Sequence, residues 1–239
     1  MKALDIKHIE NWVFDLDNTL YRADSQFFSQ IDRKMTAYIE RFLNITTQEA
    51  TKIRQDYWVK YGTTLSGLIA VNNMDPEAFL TYVHDVDLSA LTPQPALRNI
   101  INKLPGRKFI FTNGSKAHAH NVAGHLNLWD LFDGSFGIED ANYIPKPKSE
   151  PYHIFCKQFD IKPETAIMFE DSPSNLEVPK SLGMKTVLIT SDENWSHIPE
   201  DKRPANRGRE AGWIDASTHD LTDWLRRHAP VMMTENEKR

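Results

Sequence analysis

Four short apolar runs constrain this chain more than any other feature: Trp12–Leu16 (WVFDL), Lys108–Phe111 (KFIF), Ala166–Phe169 (AIMF) and Thr186–Ile189 (TVLI). A strand covered on both faces reads as a near-continuous apolar run, whereas a half-exposed strand alternates, so these segments read as buried parallel strands. Helical patterns such as Ser115–Leu128 and Tyr152–Phe159 separate the later runs. From about residue 92 the alternation is therefore β-α-β-α, which predicts an α/β fold with a doubly wound parallel sheet.

The stretch after the first run breaks this alternation. FFSQIDRKMTAYIERFL places Phe28, Ile31, Met35, Tyr38, Ile39 and Phe42 mostly three or four residues apart, as one face of a helix requires. TTQEATKIRQDYWVKYG follows, with Thr46 and Glu49 spaced as a capping box. DPEAFLTYVHDV is a further helix, with Asp75 as N-cap and Pro76 at the first helical position. An insertion of this length exceeds an ordinary loop. The expected organisation is a core formed by residues 1–21 and 91–230, a small helical cap over 22–90, and a polar, mobile tail over 231–239. Ser196–Gly212, rich in Lys, Arg, Pro and Gly, reads as a long surface loop.

Composition excludes several classes of function. With 28 Lys+Arg against 33 Asp+Glu, the net charge of −5 offers no broad basic face for neutralising phosphates, so no nucleic-acid polymer is expected as partner. A small anion held by a few local cations remains compatible. Cys156 is the single cysteine, so neither an internal disulfide nor a multi-thiolate metal site exists. MKALDIKHIENW carries charges every few residues, and nowhere do roughly 18 apolar residues run together. A soluble, cytoplasmic protein with no membrane contact is expected, as a monomer or homodimer.

In open α/β sheets, ligands bind at the carboxyl ends of the strands near the switch in strand order. Four places in the chain carry suggestive chemistry. In Asp15-Leu16-Asp17-Asn18-Thr19, an extended backbone aims Asp15 and Asp17 the same way. Their repulsion favours a bound cation or a raised pKa in one of them, conditions under which one carboxylate can act as nucleophile and the other as proton carrier. An isolated Asp-x-Asp is more often an Asx-turn; its position at the end of a buried run argues for function. In Thr112-Asn113-Gly114-Ser115, a hydroxyl, an amide and backbone N–H groups freed by Gly114 can gather around an oxyanion, although a turn and N-cap account for the same residues. In Pro145-Lys146-Pro147-Lys148, prolines on both sides of Lys146 stiffen the backbone that carries its ammonium, the alternative being a solvated lysine pair. In Glu170-Asp171-Ser172-Pro173-Ser174-Asn175, Ser172 as N-cap explains part of the motif but not the acidic pair. Carboxylates at the end of a buried strand cost desolvation unless they meet a cation, and Mg2+ suits oxygen ligands.

In order and spacing these four motifs resemble the haloacid dehalogenase (HAD) superfamily of phosphotransferases. Within it, FDLDNTLY, FTNGS, PKP followed by Tyr152, FEDSPSNLEVPKSLGM and YGTTLSGL in the helical cap are similar to the pyrimidine 5′-nucleotidase branch. The resemblance implies a doubly wound, Rossmann-like core with the cap inserted after its first strand. It implies that Asp15 attacks phosphorus to form an aspartyl-phosphate, while Asp17 protonates the leaving oxygen and then activates water. It implies Mg2+ held by the Asp15 carboxylate, the Asp17 backbone carbonyl and Asp171, with Glu170 ligating directly or through water. Thr112, Asn113, Gly114 and Lys146 would bind the phosphoryl group, with Lys148 the runner-up for Lys146. The implied substrate is a small phosphomonoester, a nucleoside monophosphate of the UMP or CMP type. Among Tyr57, Trp58 and Tyr61, which could stack on a base or pack between helices, one base contact is expected and Tyr61 is assigned to it. A sugar phosphate is the nearest alternative substrate. A silent binding protein is disfavoured by the full set of reactive residues, and a carbon–halogen hydrolase by Asp17. His118, His120 and His125 lack the spacing of a zinc pair and read as surface or packing residues. Pro179 is expected to kink or shorten the helix begun at Pro173.

Overall fold

The computed structural model describes residues 4–22, 27–192 and 211–230. Six parallel strands form one sheet in the order β3-β2-β1-β4-β5-β6: β1 (Asn11–Phe14), β2 (Arg107–Phe111), β3 (Gly134–Phe136), β4 (Ala166–Glu170), β5 (Lys185–Ile189) and β6 (Ala216–Thr218). The four apolar runs are β1, β2, β4 and β5. Strand order reverses between β1 and β4, which are registered Phe14 to Phe169, and the crevice that ligands use in such sheets opens there.

Alternate side chains of these strands build two cores. Trp12, Phe14, Ile110, Ile167, Phe169 and Val187 pack on one face; Val13, Phe109, Phe111, Met168 and Leu188 pack on the other. Phe14 and Phe169 stack with ring centroids 4.8 Å apart directly beneath the ends of β1 and β4. Truncating either ring to Ala would cost about 3–5 kcal/mol, mostly as cavity. This rigid floor fixes where the next residues, Asp15 and Glu170, stand.

Between β1 and β2 the chain forms α1 (Phe28–Leu43), α2 (Thr47–Tyr61), α3 (Thr64–Asn72) and α4 (Pro76–Val83). The Thr46–Glu49 capping box forms, and Asp75 caps α4 with Pro76 at its start. Asn44 and Asn73 end α1 and α3 in the left-handed conformation that Asn tolerates. The four helices share a third core of Ile39, Ala50, Leu65, Leu68, Phe79, Leu80 and Val83, joined by Ile138 from the loop after β3. Within it α2 and α3 approach so closely that a Cβ at Gly67 would lie 2.4 Å from the Tyr57 side chain. α3 has no counterpart in the sequence-based reading, where its residues carry no amphipathic stripe.

The remaining helices are α5 (Pro95–Asn102), α6 (Lys116–His125), α7 (Ser149–Gln158), α8 (Glu177–Leu182) and α9 (Leu221–His228). Pro173 begins a 3-10 turn, Pro173–Leu176, and α8 starts only after it, with Pro179 in its first turn where a missing N–H costs little. Most of the basic stretch Ser196–Gly212 and the tail 231–239 lie outside the described residues. No helix among the described residues is long and apolar enough to cross a membrane.

Candidate active site

The reactive side chains converge at the carboxyl ends of β1, β2 and β4. Asp15 directly follows β1, and its N–H donates to Phe169 O at 2.9 Å, extending the β1–β4 pairing by one residue. Glu170 is the last residue of β4. Thr112 follows β2, donating its N–H to Phe136 O. Asn18, at φ 62°, turns the chain away from the sheet and donates its side-chain amide to Asp171 Oδ2 at 3.2 Å.

Lys146 enters from the loop between β3 and α7 and is the charged centre of the site. Its Nζ donates to Asp15 Oδ1 at 2.8 Å, to Phe111 O at 2.9 Å and to Glu170 Oε1 at 3.2 Å. The relative exposures are 2% for Lys146, 6% for Asp15 and 1% for Glu170, so these charges depend on one another rather than on water. Lys148, by contrast, is exposed. The Asn113 side chain fixes the lysine's backbone, its Oδ1 accepting from Lys146 N at 2.8 Å and its Nδ2 donating to Lys146 O at 3.2 Å. Thr112 Oγ1 accepts from Gly114 N at 2.9 Å, and a Cβ at Gly114 would stand 3.3 Å from that oxygen.

The acidic loop is braced from several sides. Glu170 Oε2 accepts from Asp171 N at 2.9 Å, and the Asn175 side-chain amide donates to Glu170 Oε1. The buried Tyr152 hydroxyl donates to Asn175 O at 2.7 Å, and the Trp213 indole N–H donates to Pro173 O at 2.8 Å. Each buried donor–acceptor pair is worth about 1 kcal/mol net. Their combined effect is positional.

Asp15, Glu170 and Asp171 offer carboxylate oxygens that all lie within 4.8 Å of one another. Burial, together with the charges of Glu170 and Asp17, pushes the Asp15 carboxyl up to about 8 against the pull of Lys146. Burial, Glu170 and Asp15 likewise push Asp171 well above the carboxylate range. Burial disfavours the Lys146 ammonium, but Asp15 and Glu170 outweigh it and hold the proton more firmly than in water. Three acids around one ammonium form a hard, oxygen-only donor set, and on releasing their protons they fit a divalent cation of the Mg2+ type.

Asp17 stands outside this cluster. Its Oδ1 accepts from the Tyr21 hydroxyl at 2.6 Å and from His118 Nε2 at 3.1 Å. Burial raises its carboxyl, but the His118 charge and the two donors prevail and bring it below its ordinary value. His118 is the packing residue of the three, 1% exposed and stacked on Phe27 and His84, and the bond of its ring to Asp17 is what the sequence reading did not foresee. Position along α6 hides this, because the partner lies 101 residues earlier in the chain. His120 and His125 are exposed, as expected. The sequence alone does not single out Tyr21 as a partner of Asp17, four residues before it in the turn after β1.

In the helical segment, the Tyr57 hydroxyl donates to Asn72 Oδ1 at 3.0 Å and its ring meets Tyr61 edge-on with centroids 5.7 Å apart. Asp56, Tyr57, Val59, Lys60, Tyr61 and Val71 line a cavity of about 540 Å³. None of these is among the charged residues at the sheet edge. The next residue, Gly62, approaches the Lys146 loop, since a Cβ there would lie 3.5 Å from Pro145 Cγ.

Residues 9–183 match the family model of the haloacid dehalogenase-like hydrolases. The chain belongs to that family. It is 28% identical over 193 residues to phosphate metabolism protein 8 of Saccharomyces cerevisiae, an alignment that takes in 73% of this chain and 60% of the yeast protein. It is also 28% identical over 196 residues to a glyceraldehyde 3-phosphate phosphatase of Methanocaldococcus jannaschii, covering 76% of this chain and 85% of the archaeal one. Among solved structures, a HAD phosphatase from Thermococcus onnurineus superposes with a TM-score of 0.62 at 18% identity, over 92% of this chain and 97% of that one. L-2-haloacid dehalogenase from Xanthobacter autotrophicus gives 0.55 at 18% identity, over 91% and 97%. At such identities the structures establish the shared fold, and with it the HAD-like core.

Proposed function

We propose that the chain is a Mg2+-dependent phosphomonoester hydrolase that passes the phosphoryl group through Asp15, and that its substrates are pyrimidine nucleoside monophosphates of the UMP and CMP type. The observation that carries the first part is the separation of the two aspartates. Asp15 lies in the acidic cluster against Lys146, and Asp17 is held apart by Tyr21 and His118. Two carboxylates in unlike environments can take unlike roles in one reaction.

Asp15 attacks phosphorus in line, the bond to the leaving oxygen breaks, and Asp17 gives that oxygen a proton. Water then attacks the phosphorus of the phosphorylated Asp15, Asp17 takes the water's proton, and inorganic phosphate leaves as the Asp15 carboxylate is restored. The charge of an arriving phosphoryl group favours proton uptake at Asp17, so the acid form arises when substrate is present. Lys146, the Thr112 hydroxyl and the backbone N–H groups near Asn113 and Gly114 offset the phosphoryl charge, the main requirement of a loose transition state. Asp15, Asp171 and the Asp17 carbonyl, with Glu170 direct or through water, would hold Mg2+, which would supply positive charge at the phosphoryl oxygens.

Helices α1–α4, residues 22–90, act in this reading as a cap that excludes water and reads the leaving group. Tyr57 is occupied in packing, which leaves Trp58 and Tyr61 as the residues to contact a base. The nucleotide assignment rests on the resemblance of FDLDNTLY, FTNGS and YGTTLSGL to that branch. The archaeal glyceraldehyde 3-phosphate phosphatase supports the second reading, a small sugar phosphate. The setting is cytoplasmic and the enzyme is a monomer or homodimer.

Phosphate release with Mg2+ from UMP, CMP, dTMP, AMP, GMP and several sugar phosphates, compared by kcat/KM, tests both parts. Preference for the pyrimidine monophosphates supports the nucleotidase reading. Preference for a sugar phosphate keeps the mechanism and replaces the substrate, and no turnover of any of them contradicts the hydrolase itself.

A further inference from the structure

His118 does more than touch Asp17. It stands in the first turn of α6, where its N–H donates to Ser115 Oγ at 3.1 Å as part of the N-cap. Its ring is nearly parallel to two others, Phe27 at 6.0 Å between centroids and 8° between planes and His84 at 4.2 Å and 19°. Phe27 immediately precedes α1 and His84 immediately follows α4, so the two rings sit on the two connections that join the helical segment to the sheet. His84 Nδ1 is also 2.9 Å from Ser115 Oγ.

The hydrogen bonding selects one edge of the imidazole. Asp17 as carboxylate only accepts, so Nε2 carries the hydrogen; Nδ1 is buried without a partner. Rotating the ring would lose the Asp17 bond. Tyr21 and His118 both donate to Oδ1 of Asp17, and Oδ2 receives no donor among the described residues. Oδ2 faces Gly114, whose Cβ position would be 3.8 Å away, beside Thr112. One oxygen is anchored and the other is presented to the site.

We infer that His118 is a positioning residue for Asp17: stacked with Phe27 and with His84, it anchors Oδ1 so that Oδ2 meets the leaving oxygen, and it couples that alignment to the placement of α1–α4. This inference rests on the proton-transfer role of Asp17 proposed above. A substrate that leaves as a weakly basic aryloxide needs little help from an acid, whereas an alkoxide needs its proton. Misplacing the acid therefore slows alkyl substrates more than aryl ones. A side chain serving stability alone has no such preference.

The experiment compares kcat/KM for p-nitrophenyl phosphate and for glycerol 2-phosphate, with Mg2+, in the full chain and in Asp17→Asn, His118→Phe, His118→Asn, His118→Gln and His84→Ala. kcat/KM reports the steps through release of the first product. His118→Phe keeps the ring stack and removes the donor, and it should lose at least about ten-fold more on the alkyl than on the aryl substrate, within the range general acids supply. His118→Gln, whose amide can reach Asp17, should recover most of that difference, and His84→Ala should show a smaller loss of the same sign. Thermal melting identifies a His118→Phe chain that does not fold, in which case His118→Asn decides. Equal losses on both substrates in folded His118 variants, while Asp17→Asn discriminates strongly, overturn the positioning role alone. If Asp17→Asn itself does not discriminate, the acid role of Asp17 falls and this inference falls with it.

Discussion

Asp15 and Asp17 stand two residues apart at the end of β1, yet among the described residues they have no hydrogen-bond donor in common. Lys146 and Thr19 serve Asp15, and Tyr21 and His118 serve Asp17. One aspartate is raised and the other lowered from the same ordinary value. These directions belong to the metal-free chain, so the proposed roles require Asp15 to give up its proton to an incoming cation and Asp17 to gain one from the charge of the arriving phosphoryl group.

Removing the cation should disable the first aspartate. Lys146→Met leaves Asp15 and Glu170 facing each other without an ammonium, and breaking such a buried pair costs about 3–5 kcal/mol. Urea unfolding of the metal-free variant should show a loss of this order at pH 8 and a smaller one at pH 5, where protonation relieves the repulsion. Phosphate release should fall by at least about a hundred-fold. Lys148→Ala, at an exposed position, should change stability by less than about 0.5 kcal/mol and leave kcat near wild type.

Metal binding should depend on pH with a definite sign. The folded pKa of Asp15, about 8, lies above its ordinary value of 3.8, so its contribution to stability is full below 3.8 and is lost as pH rises through 8. Asp171 acts in the same direction. Binding a cation requires those protons to leave, so Mg2+ affinity should tighten from pH 6 to pH 8, by up to about ten-fold per unit for each proton displaced. Isothermal titration of metal-free protein at three pH values measures this, and an affinity independent of pH would contradict it.

Acid should destabilise the junction between helices and sheet. Burial, with the charge of His118 adding to it, lowers the pKa of His84 from 6.5 to about 3, so His84 is neutral in the folded chain. Its contribution is full above 6.5 and is lost as pH falls toward 3, at most about 1.4 kcal/mol per unit for one group. His84→Phe should be less stable than wild type at pH 7.5, through the lost Ser115 bond, and this deficit should shrink or reverse at pH 4.5. Melting temperatures across that range test it.

A methyl group at Gly114 should injure catalysis more than folding. Its Cβ would meet His118 Cδ2 at 3.2 Å and Thr112 Oγ1 at 3.3 Å, contacts that force a shift of a few tenths of an ångström. Gly114→Ala should cost about 1 kcal/mol in stability. kcat/KM should fall ten-fold or more, because positioning errors well below 1 Å already matter to reacting groups.

Much of this architecture was legible in the sequence, for reasons visible in particular residues. WVF, KFIF, AIMF and TVLI are buried on both faces and announce β1, β2, β4 and β5. β3 and β6 were not anticipated. Gly134-Ser135-Phe136 and Ala216-Ser217-Thr218 are three-residue strands with little apolar content, recruited by pairing with β2 and β5. Asp15, Glu170 and Asp171 drew attention because carboxylates at the ends of buried runs cost desolvation unless they meet a cation, whereas Lys146 stood out from Lys148 only through the resemblance. His118 and Tyr21 did not stand out, since a histidine in a helix and a tyrosine next to Leu20 in a polar turn are ordinary packing residues until the fold brings Asp17 to them. Asn113 was assigned to the phosphoryl group, and its grip on the Lys146 backbone depends on a contact 33 residues along the chain.

The central claim is that Asp15 carries the phosphoryl group. The most direct measurement mixes Asp17→Asn with p-nitrophenyl phosphate and Mg2+, quenches in acid, and determines which peptide has gained a phosphoryl group by mass spectrometry. Asp17→Asn should still transfer to Asp15 from this good leaving group and then hydrolyse the adduct slowly, so the peptide containing Asp15 should carry the label. Adding Asp15→Asn should abolish it. A label on another residue, or turnover retained by Asp15→Asn alone, would contradict the account.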